Sequence, residues 1–176
     1  MILGLSEFAF TVLHTVISLV ALVAGGVVVS GMIRAKRLPG WTALFLAATA
    51  LTSITGFMFP IKSFTPALAF GVVSLLVLAA ALLGLYAFHA SGRWRFVYVI
   101  GALVALYLNA FVVVVQAFQK IAFLHRLAPT GSEPPFQAAQ FVLLVLFVLA
   151  GVVAVRRFHP DFAAAQDARQ FARLRR

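Results

Sequence analysis

No cysteine occurs in the 176 residues. That absence excludes disulfides, thiolate metal sites, iron–sulfur clusters and covalently attached c-type haem. Carboxylates are nearly as scarce: Glu7, Glu133, Asp161 and Asp167 are the whole acidic complement, and none falls inside an apolar run. Pumps and ion-coupled transporters carry protons on intramembrane Asp or Glu, so active ion coupling is not expected. A catalytic imidazole in the apolar runs would likewise lack a carboxylate to orient it. Charge as a whole is thin, at 10% of residues against 64% hydrophobic, where soluble domains carry about 25% charge. Such a chain cannot cover a soluble core with polar surface and belongs to the membrane class. Also missing are a phosphate-cradling glycine loop, an internal repeat and the ten-residue alternation of a membrane β-barrel. The "AGG" at 24–26 lies within an apolar run, where Gly25, Gly26, Ser30 and Gly31 form small-residue faces that admit a neighbouring helix.

What remains is five apolar runs, near Phe8–Met32, Trp41–Phe59, Pro66–Phe88, Phe96–Phe118 and Phe136–Val155. Each reaches the roughly 20 residues that a helix needs to cross a bilayer. The seven prolines all lie between or at the edges of these runs, where they end helices without removing an internal hydrogen bond. Backbone groups in hydrocarbon must be satisfied within their own segment, so the fold class is all-α, a bundle of five transmembrane helices. Residues 1–158 make the transmembrane domain and residues 159–176 a basic tail. The odd number of spans argues against two equal inverted halves.

The basic residues set the direction. Arg34, Lys36, Arg37, Arg93, Arg95, Arg156, Arg157, Arg169, Arg173, Arg175 and Arg176 place 11 of them on one side, against Lys62, Lys120 and Arg126 on the other. The excess marks the cytoplasmic side, giving an N-terminus outside and a C-terminus inside; in a bacterium the membrane is the inner one. The first run lacks a basic leader and is followed directly by a basic loop, so it is expected to stay as an anchor rather than be removed as a signal peptide. Trp41 and Trp94 fall on the cytoplasmic boundary as interfacial residues do. Lys120 is expected to snorkel to the outer interface. In the tail, Arg169, Arg173 and Arg176 share one face of a short helix, suited to anionic lipid. This membrane account of the +10 formal charge leaves no need for nucleic acid.

Polar residues inside the runs are the candidates for function. Thr11, His14, Thr15 and Ser18 share a face of the first helix, and Thr49, Thr52, Ser53 and Gly56 a face of the second. On the fourth, Asn109, Gln116 and Lys120 line up, with Gln119 beside them, and the fifth opens with Gln137 and Gln140. Asn109 lies about 21 Å from Arg95 and about 16 Å from Lys120 along the helix, near the midplane. His14, Thr52, Ser53, Gln116 and Gln119 lie in the outer half. His14, Thr52, Asn109, Gln116 and Gln119 are therefore the expected lining of an outer-half pocket for a small hydrophobic or lipid-like ligand, without catalysis. Two alternatives stand beside this reading. Amides and hydroxyls also serve as packing contacts between membrane helices, which suits an accessory or scaffold subunit with a membrane-protein partner or a homo-oligomer. Histidines in a helical bundle can also ligate haem b; here His14 and His125 lie toward one face and His89 and His159 toward the other. No HxxxH or HExxH spacing favours zinc or copper.

Overall fold

The computed structural model of the protein describes residue 2, residues 4–59 and residues 66–159. The expected tail helix, with Arg169, Arg173 and Arg176, and Lys62 lie outside the described residues. Among the described residues there are six α-helices: α1 (Glu7–Ile33), α2 (Pro39–Phe57), α3 (Pro66–Leu82), α4 (Trp94–Lys120), the short α5 (Ala122–Leu127) and α6 (Pro134–Arg157). A π-helical turn, Leu83–Ala87, continues α3. Five helical segments are long and apolar enough to cross a membrane: α1, α2, Ala69–Ala87 (α3 with the π-turn), α4 and α6. They correspond to the five expected runs, with ends displaced by a few residues. Two features were not expected: α5, inside what reads as the loop before α6, and the π-turn.

Local chemistry accounts for the helix ends. The Ser6 hydroxyl caps α1 by accepting from the Ala9 N–H at 3.2 Å, with Glu7 in the first turn facing the positive end of the helix dipole. Prolines open α2 and α6, where a missing N–H costs nothing because it has no partner in the helix. α1 stops in a Schellman arrangement: the Ala35 N–H donates to Met32 O at 3.1 Å and the Lys36 N–H to Gly31 O at 2.8 Å. Gly31 permits this ending, because a Cβ there would lie 2.7 Å from Leu38 Cδ1.

Helices in lipid gain little from the hydrophobic effect when they associate, so close backbone approach has to supply the contact. The chain provides it around α4, half of whose apolar window is buried (50%), against 11% for α6. A Cβ on Gly101 would stand 3.1 Å from Ala81 Cβ and 3.2 Å from Val77 O, so α3 and α4 touch nearly backbone to backbone. Gly25 of α1 likewise receives Leu106 of α4 and Phe45 of α2. Ala102 and Ala105 of α4, Ala21 and Ala24 of α1 and Ala81 of α3 are fully buried or nearly so. On α6, large apolar side chains such as Phe141, Leu146 and Leu149 point outward, as suits a bundle whose solvent is lipid.

Consecutive spanning helices reverse direction, so the 34–38 turn, the 88–93 turn and the end of α6 meet at one end, the basic end. There the Arg95 guanidinium donates to Val155 O at 3.0 Å and Phe158 O at 2.6 Å. A cation placed on the last carbonyls of α6 complements the helix dipole and ties α6 to the start of α4.

At the opposite end, Glu133 organises the loop before α6. Its carboxylate accepts from the Thr130 N–H at 2.9 Å, the Thr130 hydroxyl at 2.9 Å and the Ser132 N–H at 3.0 Å. The Thr130 N–H does most to hold the Glu133 carboxyl at about 2, below its ordinary 4.5. A lowered acid pKa stabilises the folded loop above the ordinary value and loses that contribution as pH falls through the folded one. Protection from hydrogen exchange at Thr130 and Ser132, measured against the intrinsic rate at each pH, should therefore hold above pH 4.5 and fall as pH drops toward 2. Glu133→Gln should exchange faster and show no such pH step; an equal step in that variant would place the titration elsewhere.

Candidate functional site

Polar residues of α1 meet α2 at one level and α4 at another. The His14 Nδ1 lies 2.8 Å from Thr55 Oγ1, and that hydroxyl also reaches Leu51 O at 2.7 Å. The imidazole packs edge-on against Phe59, ring centroids 5.3 Å apart. Gly56 leaves room for it, since a Cβ there would be 3.8 Å from His14 Cε1. Lys120 lies within electrostatic reach of the ring. Deeper in the bundle, Asn109 Nδ2 donates to Ser18 O at 3.3 Å, joining α4 to α1. Gln140 of α6 donates to Phe111 O of α4 at 3.2 Å. Most of the hydroxyls bond back to their own helices: Thr11 to Glu7 O, Thr15 to Thr11 O, Ser18 to His14 O and Thr49 to Phe45 O.

The remaining expected residues behave differently. Gln116 and Gln119 are exposed on α4 beside Lys120. Thr52 is partly buried, and its Oγ1, like Oε1 of Gln140, has no hydrogen-bond partner among the described residues. Thr55, which sequence reasoning did not single out, is the residue that engages His14. Its signal was present in the spacing, one turn after Leu51 and three residues after Thr52.

At the basic end the structure opens a cavity of about 350 Å³, within the range of small-molecule sites. None of His14, Thr52, Asn109, Gln116 or Gln119 lines it. Its depth is formed by Val28 and Met32 of α1, Thr42 of α2, Tyr98 of α4 and Phe158 after α6, all buried. Its rim carries Lys36, Arg37, Tyr86 and His89, all exposed. The Tyr98 hydroxyl lies near the Thr42 side chain, with Tyr86 and Arg37 within electrostatic reach. Phe158, its ring 5.9 Å from Tyr98, is held by the Arg95 bond to its carbonyl, so the ion that anchors α6 also fixes one wall. Both described carboxylates, Glu7 and Glu133, lie at the other end of the bundle.

Backbone strain gathers at the same place. The non-glycine residues with left-handed φ among those described are Ala35 (56°), His89 (53°) and Ala90 (52°). They lie in the two turns that flank the cavity. Such conformations cost on the order of 1–3 kcal/mol each and persist only where surrounding structure fixes them. The fixing contacts are visible. The π-turn closes with Phe88 N–H to Leu83 O at 3.1 Å, and the Ala90 N–H reaches Gly84 O at 2.7 Å. Ala90 is fully buried, and Phe88 stacks on Trp94 at 3.8 Å with the planes 2° apart. Gly84 lets the turn lie against α4, since a Cβ there would be 3.1 Å from Trp94 O and 3.2 Å from Tyr98 N.

The sequence places His89 only toward one face of the bundle, with His159, and Tyr86, Tyr98 and Thr42 are not among its candidates. Depth was the missed signal: Met32, Thr42, Tyr86 and Tyr98 all fall within about two turns of the basic boundary. Trp41 and Trp94 are exposed at the starts of α2 and α4, beside this rim. Among the described residues no group of three or more histidines and carboxylates is placed to hold a metal ion.

Comparison with known proteins yields no match: no family model fits the chain, and no curated protein or solved structure is similar to it.

The His14–Thr55 contact should behave as a packing interaction between α1 and α2. A double-mutant cycle with His14→Phe and Thr55→Val, read by unfolding in mixed micelles, should give a coupling of about 0.6 kcal/mol and no more than about 1.7 kcal/mol. Zero coupling would show that the two side chains do not meet.

Proposed function

We propose that the protein is a small non-catalytic membrane protein that binds one hydrophobic or lipid-like molecule in the cavity at its basic end. In the orientation set by the basic residues, that end faces the cytoplasm and the N-terminus lies outside; in a bacterium the membrane is the inner one. The observation that carries the reading is the graded lining of the cavity. Val28, Met32 and Phe158 offer an apolar interior, Thr42 and Tyr98 a pair of hydroxyls at depth, and the rim is charged. That gradient suits an amphiphile with its tail inward and its head at the membrane surface.

The basic-end cavity supports ligand binding better than the outer half does. The outer-half histidine and midplane amide already have protein partners in Thr55 and Ser18, as helix-packing groups do. The cavity has room, a polar end and an apolar interior together.

Filling the cavity tests this. Val28→Phe and Thr42→Phe, made separately, each place a larger side chain in the space from a different helix. Native mass spectrometry of wild type should count one monolaurin or lauroyl lysophosphatidate per chain. Each variant that keeps the wild-type helical circular dichroism should lose at least tenfold in affinity for both amphiphiles. Unchanged binding in two folded variants would overturn the proposal.

A further inference from the structure

Resting on the amphiphile-binding reading, we infer that the ligand's head group is anionic, a phosphate or carboxylate, gripped between the α1–α2 turn and the strained turn after the π-helix. The rim presents Lys36 and Arg37 from one side and His89 from the other, with Tyr86 adjoining. All four can donate hydrogen bonds, and the imidazole has an N–H in either protonation state. Arginine and lysine together supply a planar fork and a mobile point charge, the usual means of holding a phosphate or carboxylate. Both described carboxylates are at the far end of the bundle, so no acid among the described residues competes for these donors.

Positive residues in a cytoplasmic loop are explained by topology alone. Topology does not explain why the two turns bearing them are built in left-handed conformations. A Schellman ending favours glycine at the position Ala35 occupies, and His89 and Ala90 hold two left-handed residues in succession. A glycine-rich turn would serve equally well to reverse the chain and would carry no strain. What His89 adds is an imidazole at the cavity mouth, opposite Lys36 and Arg37. The π-turn contributes by shifting the register of the helix end; π-bulges concentrate at functional sites for that reason. Gly84, by allowing the turn to lie on Trp94 and Tyr98, brings the imidazole side of the rim close to the hydroxyl pair at depth.

The head group and the strain can be read in the same experiment. Full-length protein in mild detergent is titrated with lauroyl lysophosphatidate, with monolaurin of the same chain length and with inorganic phosphate, and bound molecules are counted by native mass spectrometry. Lysophosphatidate should bind at one per chain and at least tenfold more tightly than monolaurin. The Lys36→Gln/Arg37→Gln double variant should erase that preference. His89→Asn should reduce it severalfold while its thermal midpoint stays level or rises, because asparagine tolerates the left-handed region better than histidine does. A residue that served only the fold would lower the midpoint and leave the preference intact. Equal binding of lysophosphatidate and monolaurin, both lost on Val28→Phe or Thr42→Phe, overturns the anionic head and leaves the cavity reading standing. Phosphate binding as tightly as lysophosphatidate keeps the anion site but overturns its assignment to an amphiphile. Binding of both amphiphiles that survives the filling variants overturns the cavity reading itself.

Discussion

A peptide group in hydrocarbon has no water to bond, and the architecture follows from that one restriction. Each span must be helical from end to end, so breaks are confined to the ends, and the helices must associate through close packing rather than through expulsion of water. α4 answers the second demand. Gly101 against Val77 and Ala81, with Ala102 and Ala105 buried alongside, lets α3 lie almost on its backbone, while Gly25 admits Leu106 from the same helix into α1. α6, whose surface is mostly outward, packs on α4 through Phe147 against Tyr107 and Gly151 against Leu103, and polar contacts add to this: Gln140 to Phe111 O within the bundle and Arg95 to the last carbonyls at the basic end.

Polar chemistry then divides by depth. Inside the bundle, polar side chains spend their hydrogen bonds on neighbouring backbone, as Asn109 does on Ser18 O, or on one another, as His14 does on Thr55. At the basic end the restriction relaxes, and there unusual backbone, free volume and cations coincide. The π-turn, the left-handed Ala35, His89 and Ala90, and the cavity between them form one unit. Its far wall is Phe158, whose place depends on the Arg95 clamp. Anchoring the last helix and shaping the cavity are thus one interaction seen from two sides.

The five spans were legible because hydropathy and proline act locally: Pro39 and Pro134 mark helix starts whatever packs beside them. The faces that carry polar residues were legible too, from the period of the helix. Which faces meet was not, because helix order is a property of the whole bundle. Thr55, not the Thr49–Thr52–Ser53 group, receives His14. α5, six residues long, is too short to leave a periodic signal. The π-turn hides in an unbroken apolar run, since one extra residue per turn changes no hydropathy. The cavity was least visible of all. Its residues come from four helices and the segment after α6, separated by up to 130 positions between Val28 and Phe158, and each of them alone is an ordinary boundary residue.

The central claim is that the basic end, between the α1–α2 turn and the π-turn, is a ligand site of a membrane-embedded bundle. An experimental structure in nanodiscs made from the protein's own membrane tests it most directly. The account predicts one elongated non-protein density per chain, its narrow part between Val28 and Phe158 and its head among Lys36, Arg37 and His89. A well-ordered map in which Tyr98 and Met32 close over this space and leave no such density would contradict it.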